Sequence, residues 1–267
     1  MNSNYAQDQL AKLNPEGYSS LIPLFEESCG ANSFNCAYNC LGQAVSYTDI
    51  ERMSRNFAAF LVNGLGLAKG DRIAIQLPNL IQYPVVAWSA LRAGLTIVNT
   101  NPIYTKRELL HQLNDSGARA LVMWSDSQST MEKVVPQTDI EFVISTNVFD
   151  IMEAQAVIPS EILAPVSLPD ALNQGEDLEL PAINITMNDL ALLQYTGGTT
   201  GVAKGSMLTR GNLFASYRQT IEAIPPHPTQ QDVMKTGGMS VLIPDPRDIN
   251  GLVQTMKQFP FSHSAVF

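Results

Sequence analysis

The sequence predicts an α/β fold, with two lobes of parallel-rich sheet flanked by helices. Three observations carry this expectation. Short apolar runs such as "RIAIQL", "TIVNT", "RALVMW" and "EFVIS" alternate with stretches of helical periodicity. Turn signals separate them, and alternation of this kind makes a largely parallel sheet, because a parallel neighbour needs a crossover helix. The composition, 45% apolar and 15% charged over 267 residues, is that of a globular chain able to bury one large core or two smaller ones.

The elements follow in chain order. Residues 1 to 47 read as irregular, with a short helix at "YSSLIPLFEES". In "SYTDIERMSRNFAAFLVNGLGLAKGDRIAIQL", Thr48 and Glu51 have the spacing of a capping box. Ile50, Met53, Phe57 and Leu61 continue at helical spacing, "GLGLAKGD" stops the helix, and "RIAIQL" is a strand. A helix within residues 80 to 94 leads to the strand "TIVNT". "TKRE" is a second capping box, with Thr105 and Glu108, and opens a helix carrying Leu109, Leu110 and Leu113. Residues 151 to 188, rich in proline and acid, read as a long connection with little regular structure. "DLALLQYT" then starts the second lobe. Beyond it come an extended "SMLT", a helix from about Arg210 to Ala223, a strand "MSVLI" and a helix "DINGLVQTMKQF". The expected division is a first lobe over 1–150, a connection over 151–188 and the start of a second lobe over 189–267.

Several functions are disfavoured at once. The net charge is −9 and no basic stripe occurs, which speaks against nucleic acid as a partner. The longest apolar stretch is broken by Arg92 and Gly94, so no segment reads as membrane-spanning. The first residues lack a basic start followed by an apolar run, which predicts a cytoplasmic protein. Cys29, Cys36 and Cys40 are an odd set in one short segment and read as reduced, structural thiols. His111, His227 and His263 are scattered and suggest no metal site.

The chemistry concentrates in "LLQYTGGTTGVAKGSMLTRGNL". Glycines free several backbone N–H groups to face one anion. Thr196, Thr199 and Thr200 add hydroxyl donors and Lys204 adds a full charge. Phosphate oxygens only accept, so this donor set suits a polyphosphate. A Walker A loop would place glycine before lysine and open a helix directly, whereas here Lys204 precedes Gly205 and "SMLT" is extended. For G-G-T-T-G alone, an ordinary glycine turn with solvated threonines stands beside the phosphate reading.

The flanks favour the phosphate reading. "YTGGTTGVAKG" resembles the nucleotide-binding signature of the adenylate-forming ligases, with Gly198 as in bacterial long-chain fatty-acyl-CoA ligases. Residues 77 to 122 and "IPDPRDINGLVQTMKQFPFS" resemble the same enzymes, so the likeness runs from about Tyr18 onward. It implies the large N-terminal domain of acyl-CoA synthetases, incomplete. ATP would activate a long-chain fatty acid as an acyl-adenylate, and coenzyme A would then take the acyl group. Tyr195, Thr196, Gly197, Gly198, Thr199, Thr200, Gly201, Val202, Ala203, Lys204, Gly205 and Ser206 would form the loop on the ATP phosphates. ATP, fatty acid and coenzyme A are the implied partners, with Mg2+ held by a family residue beyond this stretch. The expected location is the cytoplasm, with a peripheral place on the inner face of the membrane as the alternative.

Other residues read as structural. Tyr104, Arg107 and His111 suit a helix surface, and Trp88 suits the core. Asp245, Arg247 and Asp248 suit a turn and cap, while Arg210 stands where the family often has histidine. The likeness breaks between Val233 and Gly237, where a strand and helix of the family are missing, and the tail "FPFSHSAVF" leaves the pattern. The expectation is an N-terminal half, inactive alone. A non-catalytic nucleotide-binding module is the alternative.

Overall fold

The computed structural model describes residues 18, 20–40, 43–148, 150–151, 165–196 and 203–223. They belong to two compact units, one spanning Asp49–Thr209 and the other formed from segments before and after it.

Helix α1 (Leu21–Ala31) starts at Ser20, whose hydroxyl accepts from the Ile22 N–H, and it buries Leu21, Leu24, Phe25 and Cys29. Strands β1 (Cys36–Cys40) and β2 (Gln43–Ser46) then pair antiparallel. This hairpin corrects the expectation of irregular chain up to residue 47. Every residue of β1 is half-buried, so the strand lacks the in-and-out alternation that reveals strands in a sequence. No disulfide joins the three cysteines.

Helix α2 (Tyr47–Ala59) corrects the first capping box. It begins before Thr48, whose hydroxyl donates to the Ser33 carbonyl at 2.9 Å. Glu51 instead accepts from Arg55 and Arg92, at 2.6 and 3.2 Å. A π-turn, Phe60–Gly64, ends the helix.

The larger unit is built on β3 (Arg72–Gln76), α3 (Gln82–Arg92), β4 (Thr96–Asn99), α4 (Lys106–Ser116), β5 (Ala120–Trp124), α5 (Gln128–Val134), β6 (Phe142–Thr146), β7 (Val166–Ser167), α6 (Leu168–Glu176), β8 (Leu190–Thr196) and β9 (Lys204–Thr209). The strands form one seven-stranded sheet in the order β7-β6-β5-β3-β4-β8-β9. All neighbours are parallel except β9, which runs antiparallel to β8. Helix α7 (Arg210–Ala223) follows β9 and lies in the other unit, with Leu213 and Phe214 buried.

Two expectations change here. "DLALLQYT" is a strand as predicted, but it joins β4 in this sheet, with Ile97 opposite Leu192 and Asn99 opposite Gln194. Its apolar pattern identifies a strand without choosing the edge on which it docks. Within 151–188, β7 and α6 interrupt the irregular chain. Pro169 occupies the first turn of α6, where its missing N–H costs nothing, and Ser167 caps the Asp170 N–H. The strand "MSVLI", the helix "DINGLVQTMKQF" and Asp245, Arg247 and Asp248 lie outside the described residues.

The sheet is covered by apolar side chains. On one face Ala74, Val98, Leu121, Met123, Leu193 and Tyr195 pack with Leu109 and Leu113 of α4 and Met131 and Val134 of α5. Each such large side chain contributes on the order of 1.5–3 kcal/mol when fully buried. From β3 the chain passes to β4 on one side and then to β5 on the other. At such a reversal, outside the carboxyl ends of the strands, open α/β sheets bind ligands.

Candidate functional site

The glycine–threonine segment joins β8 to β9. The ladder runs Gln194 opposite Ser206, Tyr195 opposite Gly205 and Thr196 opposite Lys204. Thr196 and Lys204 are therefore the last pair before the loop. Gly197, Gly198, Thr199, Thr200, Gly201 and Val202 lie outside the described residues. Lys204 and Ser206 are exposed, and Gly205 and Ala203 are half-buried. The extended "SMLT" is part of β9, so a second strand follows the loop where a Walker A loop would lead into a helix.

Helix α4 holds both sides of this hairpin. The Tyr195 hydroxyl donates to Asp115 Oδ2 at 2.6 Å. Burial pushes the phenol well above its ordinary range and the bond to Asp115 pushes it further, so Tyr195 is a donor at all ordinary pH. Across the ladder, the Gly205 backbone lies so close that a Cβ there would stand 3.0 Å from two ring atoms of Tyr195. His111 Nε2 lies 3.0 Å from the Ala203 carbonyl. A carbonyl can only accept, so Nε2 carries the proton in this bond.

His111 thus corrects its reading as a helix surface residue, because it is half-buried and its ring meets the chain entering β9. Tyr104 is half-buried against the core cluster, Arg107 is exposed and Trp88 is buried. Arg210 is fully buried at the start of α7.

Neutral amides line the carboxyl ends beside the hairpin. Asn99 Nδ2 donates to Gln194 Oε1 at 3.1 Å, and the Tyr83 hydroxyl donates to Asn99 Oδ1 at 2.6 Å. Gln112 Nε2 reaches the Asn99 carbonyl at 2.7 Å. Gln76 Nε2 donates to the Pro102 carbonyl and to Ser127 Oγ, at 3.2 and 3.0 Å. Such groups orient and accept; they do not hold a divalent cation on their own. Among the described residues no three His, Cys, Asp or Glu side chains are grouped to bind a metal. Also among them, no helix is long and apolar enough to cross a membrane.

The sequence profile of the AMP-binding enzymes matches residues 25–239. The chain belongs to the AMP-binding enzyme family. It is 39% identical to a long-chain-fatty-acid–CoA ligase of Salmonella typhimurium over 97% of its own length and 53% of that protein. The protein of the same description in Bacillus subtilis is 32% identical, over 67% of this chain and 34% of the relative. The chain thus spans about half the length, or less, of these curated relatives. Among solved structures, a long-chain-fatty-acid–CoA ligase from Archaeoglobus fulgidus superposes with a TM-score of 0.63 at 28% identity, over 76% of this chain and 39% of that one. An anthranilate–CoA ligase with bound anthranoyl-AMP superposes at 0.65 with 18% identity, over 76% and 36%, which shows the shared fold.

His111, Asp115, Asn99 and Gln194 gain a place at the hairpin that the motif does not announce. The sequence held one signal for the first two: they stand at i and i+4 in a helix whose Leu109 and Leu113 face the core.

Proposed function

We propose that this chain supplies the ATP-phosphate-binding part of a long-chain-fatty-acid–CoA ligase. The reaction joins a fatty-acid carboxylate to the α-phosphorus of ATP, releasing pyrophosphate. Coenzyme A thiol then displaces AMP to give the thioester. One observation carries the reading: the two strands that flank the glycine–threonine segment pair antiparallel at the carboxyl edge of the sheet, with Lys204 registered opposite Thr196. In this reading Thr196 to Ser206 surround the phosphates. Backbone N–H groups and threonine hydroxyls donate to phosphate oxygens and Lys204 neutralises charge. Tyr195 contributes through its ring and its hydrogen bond to Asp115, not by donating to phosphate. Its phenolic O–H is already hydrogen-bonded to a carboxylate.

The relatives' names support fatty acid and coenzyme A as the other substrates. A cytoplasmic enzyme meeting its acid at the inner membrane face belongs to the same proposal. So does a further part of the second lobe, built from residues after Thr209. Magnesium would shield the phosphates when bound, but the described residues offer no grouped donor set for it, and no step is assigned to it.

The test is titration of ATP, ADP and AMP at low salt. Affinity is expected to fall in that order, because the loop reads phosphate charge. Equal affinity for ATP and AMP would make the segment an ordinary turn.

A further inference from the structure

The loop is joined to the sheet at two feet, and both touch one helix. On the β8 side, Tyr195 donates to Asp115. On the β9 side, the Ala203 carbonyl accepts from His111. These partners stand at i and i+4 on α4, a spacing that stacks side chains on one stripe of a helix. The two feet are thus held by one rail. Gly205 completes the fit, since a Cβ there would stand 3.0 Å from the Tyr195 ring and the ring would have to give way slightly.

The rail is itself fixed along its length. Thr105 and Glu108 form a reciprocal capping box at its start. Leu109 and Leu113 sit in the core at 1% exposure each, which stops rotation about the helix axis. At its end Gly117 takes a left-handed conformation, φ 60°, and Arg72 Nη1 donates to the Ser116 carbonyl at 2.7 Å. A helix pinned at cap, core and terminus cannot follow the hairpin; the hairpin must follow the helix. Donors in an anion cradle bind well only when their positions are set beforehand, because otherwise binding must order them.

We propose that His111 and Asp115 are positioning residues, a two-point clamp through which α4 sets the spacing of the hairpin's feet and so its grip on a triphosphate. This rests on the reading of the loop as a phosphate site. Neither residue touches the nucleotide. His111 acts through the carbonyl preceding Lys204, and Asp115 through the phenol preceding Thr196.

The purified 267-residue chain and the variants His111→Ala, His111→Gln, Asp115→Ala and Asp115→Asn are titrated with ATP and AMP at low salt. Each alanine variant is expected to lose about fivefold in ATP affinity, the worth of one hydrogen bond, and less than about twofold in AMP affinity. His111→Gln keeps a donor and Asp115→Asn keeps an acceptor, so both stay within about twofold of wild type. A merely structural role would lower the melting temperature without changing the ATP-to-AMP ratio, and that result overturns the clamp. Hydrogen exchange of the amides at residues 195, 196 and 203–206 is read in parallel. It speeds up in His111→Ala if the clamp is real. Should wild type show no preference for ATP, the phosphate reading fails, and the exchange alone decides the clamp: unchanged rates overturn it. If His111→Ala does not fold, His111→Leu fills the same space without a donor and takes its place.

Discussion

The two ends of the parallel sheet are built differently. At the amino ends, charges close on one another. Arg119 binds Asp71 at 2.5 Å and grips Glu141 with two bonds of 2.7 Å. Lys69 binds Asp189, also at 2.7 Å. At the carboxyl ends, Gln76, Asn99 and Gln194 terminate or nearly terminate their strands with neutral amides. There the exposed Lys204 stands opposite Thr196 at the mouth of the loop. A carboxylate paired with a guanidinium has little left to offer a ligand. Buried neutral groups still have unused capacity: the amide oxygens Gln76 Oε1 and Gln112 Oε1 and the hydroxyl Ser125 Oγ are buried with no hydrogen-bond partner in the protein. The same sheet thus spends its charges on holding together at one end and leaves polar capacity at the other.

The largest expected effect breaks the carboxyl end. Lys204→Ala should weaken ATP by about tenfold or more, since a charge-assisted hydrogen bond is worth roughly 1.5–3 kcal/mol. Its melting temperature should hold, because the side chain is exposed. Lys204→Arg should restore only part of the affinity, as the planar fork differs in reach. Titration beside thermal melts checks this, and a large fall in melting temperature would mean that Lys204 is structural.

Next comes the amide chain. Tyr83→Phe removes the 2.6 Å bond from the buried phenol to Asn99 and leaves a half-buried acceptor without its partner. A loss of about 1–2 kcal/mol of stability is expected. Urea denaturation would show it, and a change below about 0.3 kcal/mol would mean that water replaces the phenol freely.

The third effect is on pH. Tyr83, Tyr195 and Tyr47 are all raised above the ordinary phenol value of 10.0, chiefly by burial. The folded chain keeps protons that the unfolded chain gives up. Their contribution is therefore complete below pH 10.0 and is lost as pH rises above it. Denaturation midpoints from pH 8 to 11 should fall only at the alkaline end, and less so in Tyr83→Phe.

The smallest effect tests the amino end. Arg119→Gln should lower the melting temperature slightly, and less at high salt, because the group is solvent-screened. Nucleotide affinity should not change. A change there would erase the distinction between the two ends.

Much of this was legible in the order of residues. The strands "RIAIQL", "TIVNT", "RALVMW" and "EFVIS", the Thr105–Glu108 capping box and the helix from Arg210 to Ala223 all occur where local patterning puts them. These depend on propensity, periodicity and caps, which act over a few residues. The donor chemistry of the loop is equally local, since glycine, threonine and lysine keep their properties wherever they are placed. Tertiary structure decided the rest. Nothing in "DLALLQYT" says that it will dock on β4, because an apolar strand fits any open edge of matching length. Thr48 has a cap's spacing, yet its hydroxyl went to Ser33, fifteen residues away in the chain. His111 and Asp115 look like solvated helix residues until the hairpin arrives beside them from eighty or more positions later. Long-range contacts of this kind depend on which surfaces meet after the sheet is assembled, and that is a property of the packed molecule, not of any short window of the chain.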